Sequence, residues 1–126
     1  MLETKRAFSG FAVRDIDAAR AFYARTLGVD VDTENGNLAL HLGPDHVVFA
    51  YPKPDHKPAN YTILNFPVED IDRTVDELTK AGVKFERYEG FEQDERGVHR
   101  GEGGPPIAWF TDPSGNILSV LEEHVR

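Results

Sequence analysis

The 126-residue chain contains no cysteine, which excludes a disulfide, a thiolate nucleophile and a cysteine-held metal. It has no long apolar run and no signal-like start, so no membrane partner is predicted and a cytoplasmic location is expected. Basic residues are scarce, with 14 Lys and Arg against 22 Asp and Glu for a formal charge of −8. Affinity for a phosphate backbone rests on Lys and Arg, so nucleic acid is not an expected partner. An acidic surface would suit a cationic small molecule, and it also serves solubility. There is no glycine-rich phosphate loop between a strand and a helix, since Gly101, Gly103 and Gly104 precede a strand instead. Ser9, Ser114 and Ser119 have no paired base at recognisable spacing, so no catalytic triad is indicated.

What the chain does have is an echo. Phe11-Ala-Val13-Arg-Asp15-Ile16-Asp17 returns as Phe66-Pro-Val68-Glu-Asp70-Ile71-Asp72 at one constant offset. Leu27-Gly28-Val29 is answered by Ala81-Gly82-Val83, one residue out of step. Such self-similarity predicts two copies of one unit. In the first copy Phe8–Val13 reads as a strand, and Asp15 or Asp17 offers a carboxylate to a helix start. Ile16, Ala19, Phe22, Tyr23 and Leu27 then form one apolar helical face over 16–27, which Gly28 ends. The second copy repeats the order: a strand at Ile63–Val68, a cap at Asp70 or Asp72, a helix over 71–81 carrying Ile71, Val75 and Leu78, and Gly82 to close it.

The remaining elements follow in order. Val29–Thr33 reads as a short strand, and Asn35-Gly36 signals a tight hairpin. Leu38, Leu40 and Leu42 alternate with Ala39 and His41, and His46–Tyr51 is a further strand. Pro52, Pro54 and Pro58 stiffen a linker over 52–60. Each half, at roughly 60 residues, is too small to be comfortable alone, so a single domain with module 1 at about 8–51 and module 2 at about 61–122 is expected. Val83–Tyr88 reads as a strand, whereas Gly90–Pro106, rich in glycine and charge, reads as a mobile lid with few apolar anchors. Ile107–Thr111 and Ile117–Leu121 are strands joined by the Asp112-Pro113-Ser114-Gly115-Asn116 turn.

The paired strand–helix openings, the FYARTLGV stretch (Phe22–Val29) and FTDPSGNILSVLE (Phe110–Glu122) resemble the vicinal oxygen chelate superfamily, which includes glyoxalase I, extradiol dioxygenases, and fosfomycin- and bleomycin-resistance proteins. The resemblance covers about Phe8 to Glu122. It implies an α+β fold of two βαβββ modules, whose eight strands curve into a partly closed barrel around a ligand cavity. It also implies a homodimer, because modules of this family commonly pair across chains and cover sheet edges. The superfamily runs unrelated reactions on one scaffold, so chemistry must be argued from the site.

At the site this chain departs from the pattern. The metal enzymes resembled here carry a His five residues before the valine of V-x-D, where this chain has Phe8 and, in the second copy, Ile63. They carry a Glu four residues after the glycine of DPxG, where this chain has Ser119, and a fourth ligand near Phe49. Phenylalanine and isoleucine have no lone pair to offer a cation, and a serine hydroxyl is a poor substitute for a carboxylate. No metal and no cofactor are therefore expected. A rebuilt site from His41 with His99 and Glu92 has no ligand spacing to support it.

Strand alternation assigns the pocket walls. Leu38, Leu40 and Leu42 should pack under the helices, which turns His41 the other way. Leu64, Phe66 and Val68 leave Ile63 and Asn65 on the opposite face, and Ser119 shares its face with Ile117 and Leu121. Phe8, Phe49, Tyr51, Tyr61 and Trp109 would add an aromatic lining with His41, Asn65 and Ser119 as polar handles, the usual make-up of a small-molecule pocket. The same aromatics would also serve simply as core. Three classes follow: a metal-independent small-molecule binder, first in rank; a lyase or dioxygenase with an atypical metal site; and an interaction dimer with a filled barrel.

Overall fold

The computed structural model describes residues 1–101 and 103–124. The chain forms two compact units, Met1–Lys57 and a second running on from Pro58. Each contains one mixed sheet, so the fold is α+β. No helix among the described residues is long and apolar enough to cross a membrane.

In the first unit β1 (Ser9–Val13) leads into α1 (Ile16–Arg20), followed by β2 (Asp30–Glu34), β3 (Asn37–Gly43) and β4 (His46–Pro52). The sheet order is β1-β4-β3-β2, with β1 parallel to β4 and the rest antiparallel. Of the two candidate caps it is Asp15 that starts α1, its carboxylate accepting from the amides of Asp17 and Ala18 at 3.0 and 3.2 Å, which fills donors a helix start leaves open. The single helix expected over 16–27 is corrected: α1 ends at Arg20, and Ala21–Thr26 continues as a π-helical stretch. There the Leu27 amide reaches back five residues to the Phe22 carbonyl. The wider turn places Tyr23, fully buried, against Phe11 and Phe22, a phase shift that a simple 3.6-residue period does not encode. The Asn35-Gly36 hairpin holds both residues at positive φ, 53° and 82°, as a two-residue turn between twisted strands requires.

Strand register fixes the faces. Leu38 pairs with Ala50 and Leu40 with Val48, and these four, all buried, form with Val13 the apolar side. The opposite side holds Gly10 beside Phe49, Ala12 beside Tyr51, and Ala39, Asn37 and His41 from β3, with Asp30, Asp32 and Glu34 on the β2 edge.

The second unit consists of β5 (Thr62–Val68), α2 (Ile71–Lys80), β6 (Ile107–Thr111) and β7 (Ile117–Glu122), with sheet order β5-β7-β6. Asp70 caps α2 by accepting from the Arg73 amide at 3.1 Å. Glu122 adds an acceptor for the Ile71 amide, also at 3.1 Å, and negative charge is favoured at that helix end. The strand expected at Val83–Tyr88 is corrected to an isolated bridge between Phe85 and Phe110, so seven strands are present among the described residues instead of eight. The hydrogen-bonding groups nearby go elsewhere: the Glu86 carbonyl and the Tyr88 amide are taken by the Gln93 side chain.

The segment expected to be a lid with few anchors carries contacts the sequence did not point to, although residue 102 lies outside the described residues. Gln93 Nε2 donates to the carbonyls of Glu86 and Gly97, and Arg87 donates to those of Gln93, Asp94 and Glu95. His99 exchanges two backbone hydrogen bonds with Ile107, at 2.8 and 3.1 Å. Val98 is buried. Asp72 and Asp76, one turn apart on α2, take Arg100 and Arg96. Glycine at 101 leaves room for the His99 ring, which an added Cβ would overlap. Gly97 and Gly101 thus stand where an added Cβ would crowd Phe85 and His99, whereas Gly103 and Gly104 have open space around them.

Asp94 is the acid-sensitive point of this segment. Burial pushes its carboxyl up, but the Val98 and Arg96 amides, with the Arg100 and Arg96 guanidinium groups, outweigh that and hold it below the ordinary carboxylate range. A depressed folded pKa means the stabilisation is complete above the unfolded value and is lost as pH falls through the folded one. The amides of Val98 and His99 are therefore expected to show strand-like hydrogen-exchange protection at neutral pH and to lose it only as pH falls below the ordinary carboxylate range. Asp94→Asn should lower the neutral-pH protection and flatten the acid dependence. Protection there as low as in the exposed Pro44-Asp45 turn would show that the segment is not held.

Candidate functional site

The first unit carries a groove of about 390 Å³ on the polar side of its sheet, within the range of small-molecule sites. Phe8, Phe49 and Tyr51 wall it. Phe8 and Phe49 meet edge to face, centroids 5.0 Å apart and planes at 66°, so they make two walls instead of one flat surface. Gly10 also lines the groove, and a Cβ there would stand 3.3 Å from the Phe49 backbone oxygen. Phe8 is 67% and Tyr51 44% exposed, a large apolar area left to water.

Four residues of this groove were missed from sequence: Gly10, Glu34, Asn35 and Asn37. A signal existed. Asn35-Gly36 fixes the hairpin, the hairpin pairs Glu34 with Asn37, and alternation then sets Asn37 on the face of Ala39 and Phe49. His41 lies on this same face but is not among the groove's walls; its Nε2 stands 2.9 Å from an Asp32 carboxylate oxygen.

In the second unit Asn65, Ser119 and Trp109 stand side by side across β5, β7 and β6. The fully buried Ser119 hydroxyl donates to the Asn65 side-chain oxygen Oδ1 at 2.5 Å. Ile63 falls where the β5–β7 register shifts, so strict alternation does not place it, and Tyr61 is 67% exposed just before β5. Trp109 gathers rings the sequence did not point to. Phe91 lies 5.1 Å away, Tyr88 5.7 Å away, and the His99 ring is nearly parallel at 6.4 Å. His99 Nδ1 donates to the Glu92 carbonyl at 2.7 Å, which fixes the ring. Burial pushes the Tyr88 phenol up, with the Glu86 carboxylate adding to it, so Tyr88 is a neutral wall at physiological pH. This cluster needed the 84–101 segment to fold back on β6, a long-range event without a local signature.

The donor set does not fit a divalent cation at the positions the resemblance assigns to ligands. Phe8 packs on Phe49, Ile63 has no donor atom, and the Ser119 hydroxyl is committed to Asn65. Among the described residues no three His, Asp or Glu side chains converge as a metal site would need. A cation there would lose hydration without replacement ligands.

A family model described as the Glyoxalase/Bleomycin resistance protein/Dioxygenase superfamily matches residues 7–120. No curated protein sequence matches the chain. Among solved structures, the chain is similar to a glyoxalase family protein from Enterococcus faecalis, at 22% identity and TM-score 0.68, over 91% of this chain and 94% of that one. It is similar to TnmS3, an antibiotic binding protein from Streptomyces sp. CB03234, at 21% identity and TM-score 0.66, over 92% and 94%. The fosfomycin resistance protein FosX from Listeria monocytogenes aligns at TM-score 0.70 and 10% identity, over 94% and 93%. At these identities the structural likeness speaks for the fold. With a family model spanning nearly its whole length, this chain belongs to the Glyoxalase/Bleomycin resistance protein/Dioxygenase superfamily.

Proposed function

We propose that the chain is a binding protein that holds a small organic molecule against the aromatic sheet face of its first unit, without a divalent metal. The observation that carries this reading is the groove walled by Phe8, Phe49 and Tyr51, of which Phe8 and Tyr51 are exposed and Phe49 is half-buried. Removing such surface from water contributes roughly 25 cal/mol per Å², and a protein with no ligand gains nothing from leaving it open. The residues at the family's ligand positions favour binding over metal chemistry, because they supply no set of lone pairs. An antibiotic binding protein among the structural neighbours makes sequestration a natural role for the scaffold.

Two measurements test the reading together. Protein purified without an affinity tag should contain no stoichiometric Ni, Zn, Fe or Mn. A thermal-shift screen of small aromatic compounds should give hits, since a ligand bound only by the folded state raises the melting temperature. For those hits Phe49→Ala should weaken binding by about tenfold or more, as loss of a buried ring contact predicts. Stoichiometric metal, or hits indifferent to Phe49→Ala, would defeat the proposal.

A further inference from the structure

The groove's charge says more than its shape. Among the described residues its ionisable lining groups are the Glu34 carboxylate and the Tyr51 phenol, and no Lys, Arg or His lines it. Glu34 is exposed, and its carboxylate has no hydrogen-bond or ion-pair partner among the described residues. Its neighbour on the strand, Asp32, is instead engaged by His41. A carboxylate with no cationic partner among the described residues therefore stands at the rim of a groove whose walls are aromatic rings. Asn35 and Asn37 beside it add uncharged hydrogen-bonding groups.

Resting on the binding reading above, we propose that the ligand class is an organic cation: a protonated amine, quaternary ammonium or iminium group carried on a flat apolar body. Aromatic faces attract such a charge through their quadrupole, and more strongly where water is partly displaced. A carboxylate on the rim supplies the complementary full charge. Anions meet the opposite situation, with Glu34 repelling them and no guanidinium or ammonium group to compensate. The chain's formal charge of −8 adds a long-range attraction for cations, which salt screens, whereas the local pairing is screened less. Glu34 is then the specificity-determining residue, choosing among ligands that the rings would otherwise accept alike. The Asn35-Gly36 turn holds it there by pairing Glu34 across from Asn37.

The test uses three tricyclic fluorophores of matched shape, N-methylacridinium (cation), acridone (neutral) and anthracene-9-carboxylate (anion), titrated against the full chain. The cation is expected to bind about tenfold more tightly than acridone, and the anion more weakly than either. Glu34→Gln should abolish most of the cation's advantage and leave acridone's affinity unchanged. Glu123→Gln, which removes the same charge at another exposed position, should do neither, separating the local contact from the overall field. Phe49→Ala should weaken both ligands. If acridone binds, responds to Phe49→Ala and equals the cation, the ligand class is overturned while the groove stands. Equal effects of the Glu34 and Glu123 variants would overturn Glu34's role. If none of the three binds, the groove and the ligand class fall together.

Discussion

Asp112→Ala is expected to lower stability by about 3–5 kcal/mol, since it strands three hydrogen-bond donors at about 1–3 kcal/mol each, less whatever an entering water recovers. Asp112 is 4% exposed, and its carboxylate accepts from the Ser114 amide at 2.8 Å, the Asn116 amide at 3.0 Å and Asn116 Nδ2 at 2.9 Å. Ser114 and Asn116 are themselves 2% exposed, so little water reaches the abandoned donors. The turn also sets the β6–β7 hairpin, which carries Trp109 and Ser119 into place. Against a typical domain stability of roughly 5–15 kcal/mol, such a loss removes from about a fifth to all of the total. A urea titration should show the midpoint fall steeply, and Asp112→Asn, which keeps one acceptor oxygen, should lie between. A variant within about 1 kcal/mol of the parent would mean that the turn is not under this constraint. Trp109, the single tryptophan, reports the second unit by fluorescence, and circular dichroism reports both. Coincident transitions are expected, because a half of roughly 60 residues is marginal alone. Separate transitions would mean two independent domains.

The second large effect is expected in the first unit. Tyr23→Ala should cost about 3–5 kcal/mol, the range for emptying a buried aromatic site. Tyr23 is 0% exposed. Its ring packs against Phe22 at 5.2 Å and Phe11 at 5.8 Å, and its carbonyl accepts from the Val29 amide at 2.8 Å where the chain leaves the helix. Tyr23→Phe retains the ring and should cost far less, which separates packing from the hydroxyl. If the two variants are equally unstable, the hydroxyl and not the ring holds this corner. If both resemble the parent, the π-helical stretch does not depend on the tyrosine at all.

Where local chemistry is decisive, the structure agrees with the sequence. Asp15 and Asp70 start the two helices because a short acidic side chain can reach amides a helix leaves unpaired. Asn35-Gly36 and Asp112–Asn116 turn as their residues require. The buried side of β3 is legible from Leu38 and Leu40 alone. Each of these is settled within about five residues of chain. Other features were not legible for a common reason: their hydrogen-bond partners are distant. Val83–Tyr88 has strand-like residues, but Gln93 takes groups a ladder would have used. The anchors of the glycine-rich 90–106 segment were hidden because Arg96 and Arg100 find carboxylates on α2, about 20 and 28 positions back, which no local window contains.

The same division runs through the candidate site. Sequence by itself determined that no cysteine chemistry is available, that Phe8, Ile63 and Ser119 stand where a chelating family needs ligands, and that α+β modules would form. The first is a matter of composition, and the other two follow from the resemblance of the chain's motifs to a known superfamily; all are carried by the chain before it folds. Only the tertiary structure decided that Phe8 meets Phe49 at an angle that opens a groove and that Glu34 is left there without a cationic partner among the described residues. It alone committed the Ser119 hydroxyl to Asn65 and brought Phe91 and His99 to Trp109. These depend on which strands pair and in what register, and register is selected by the whole buried face at once.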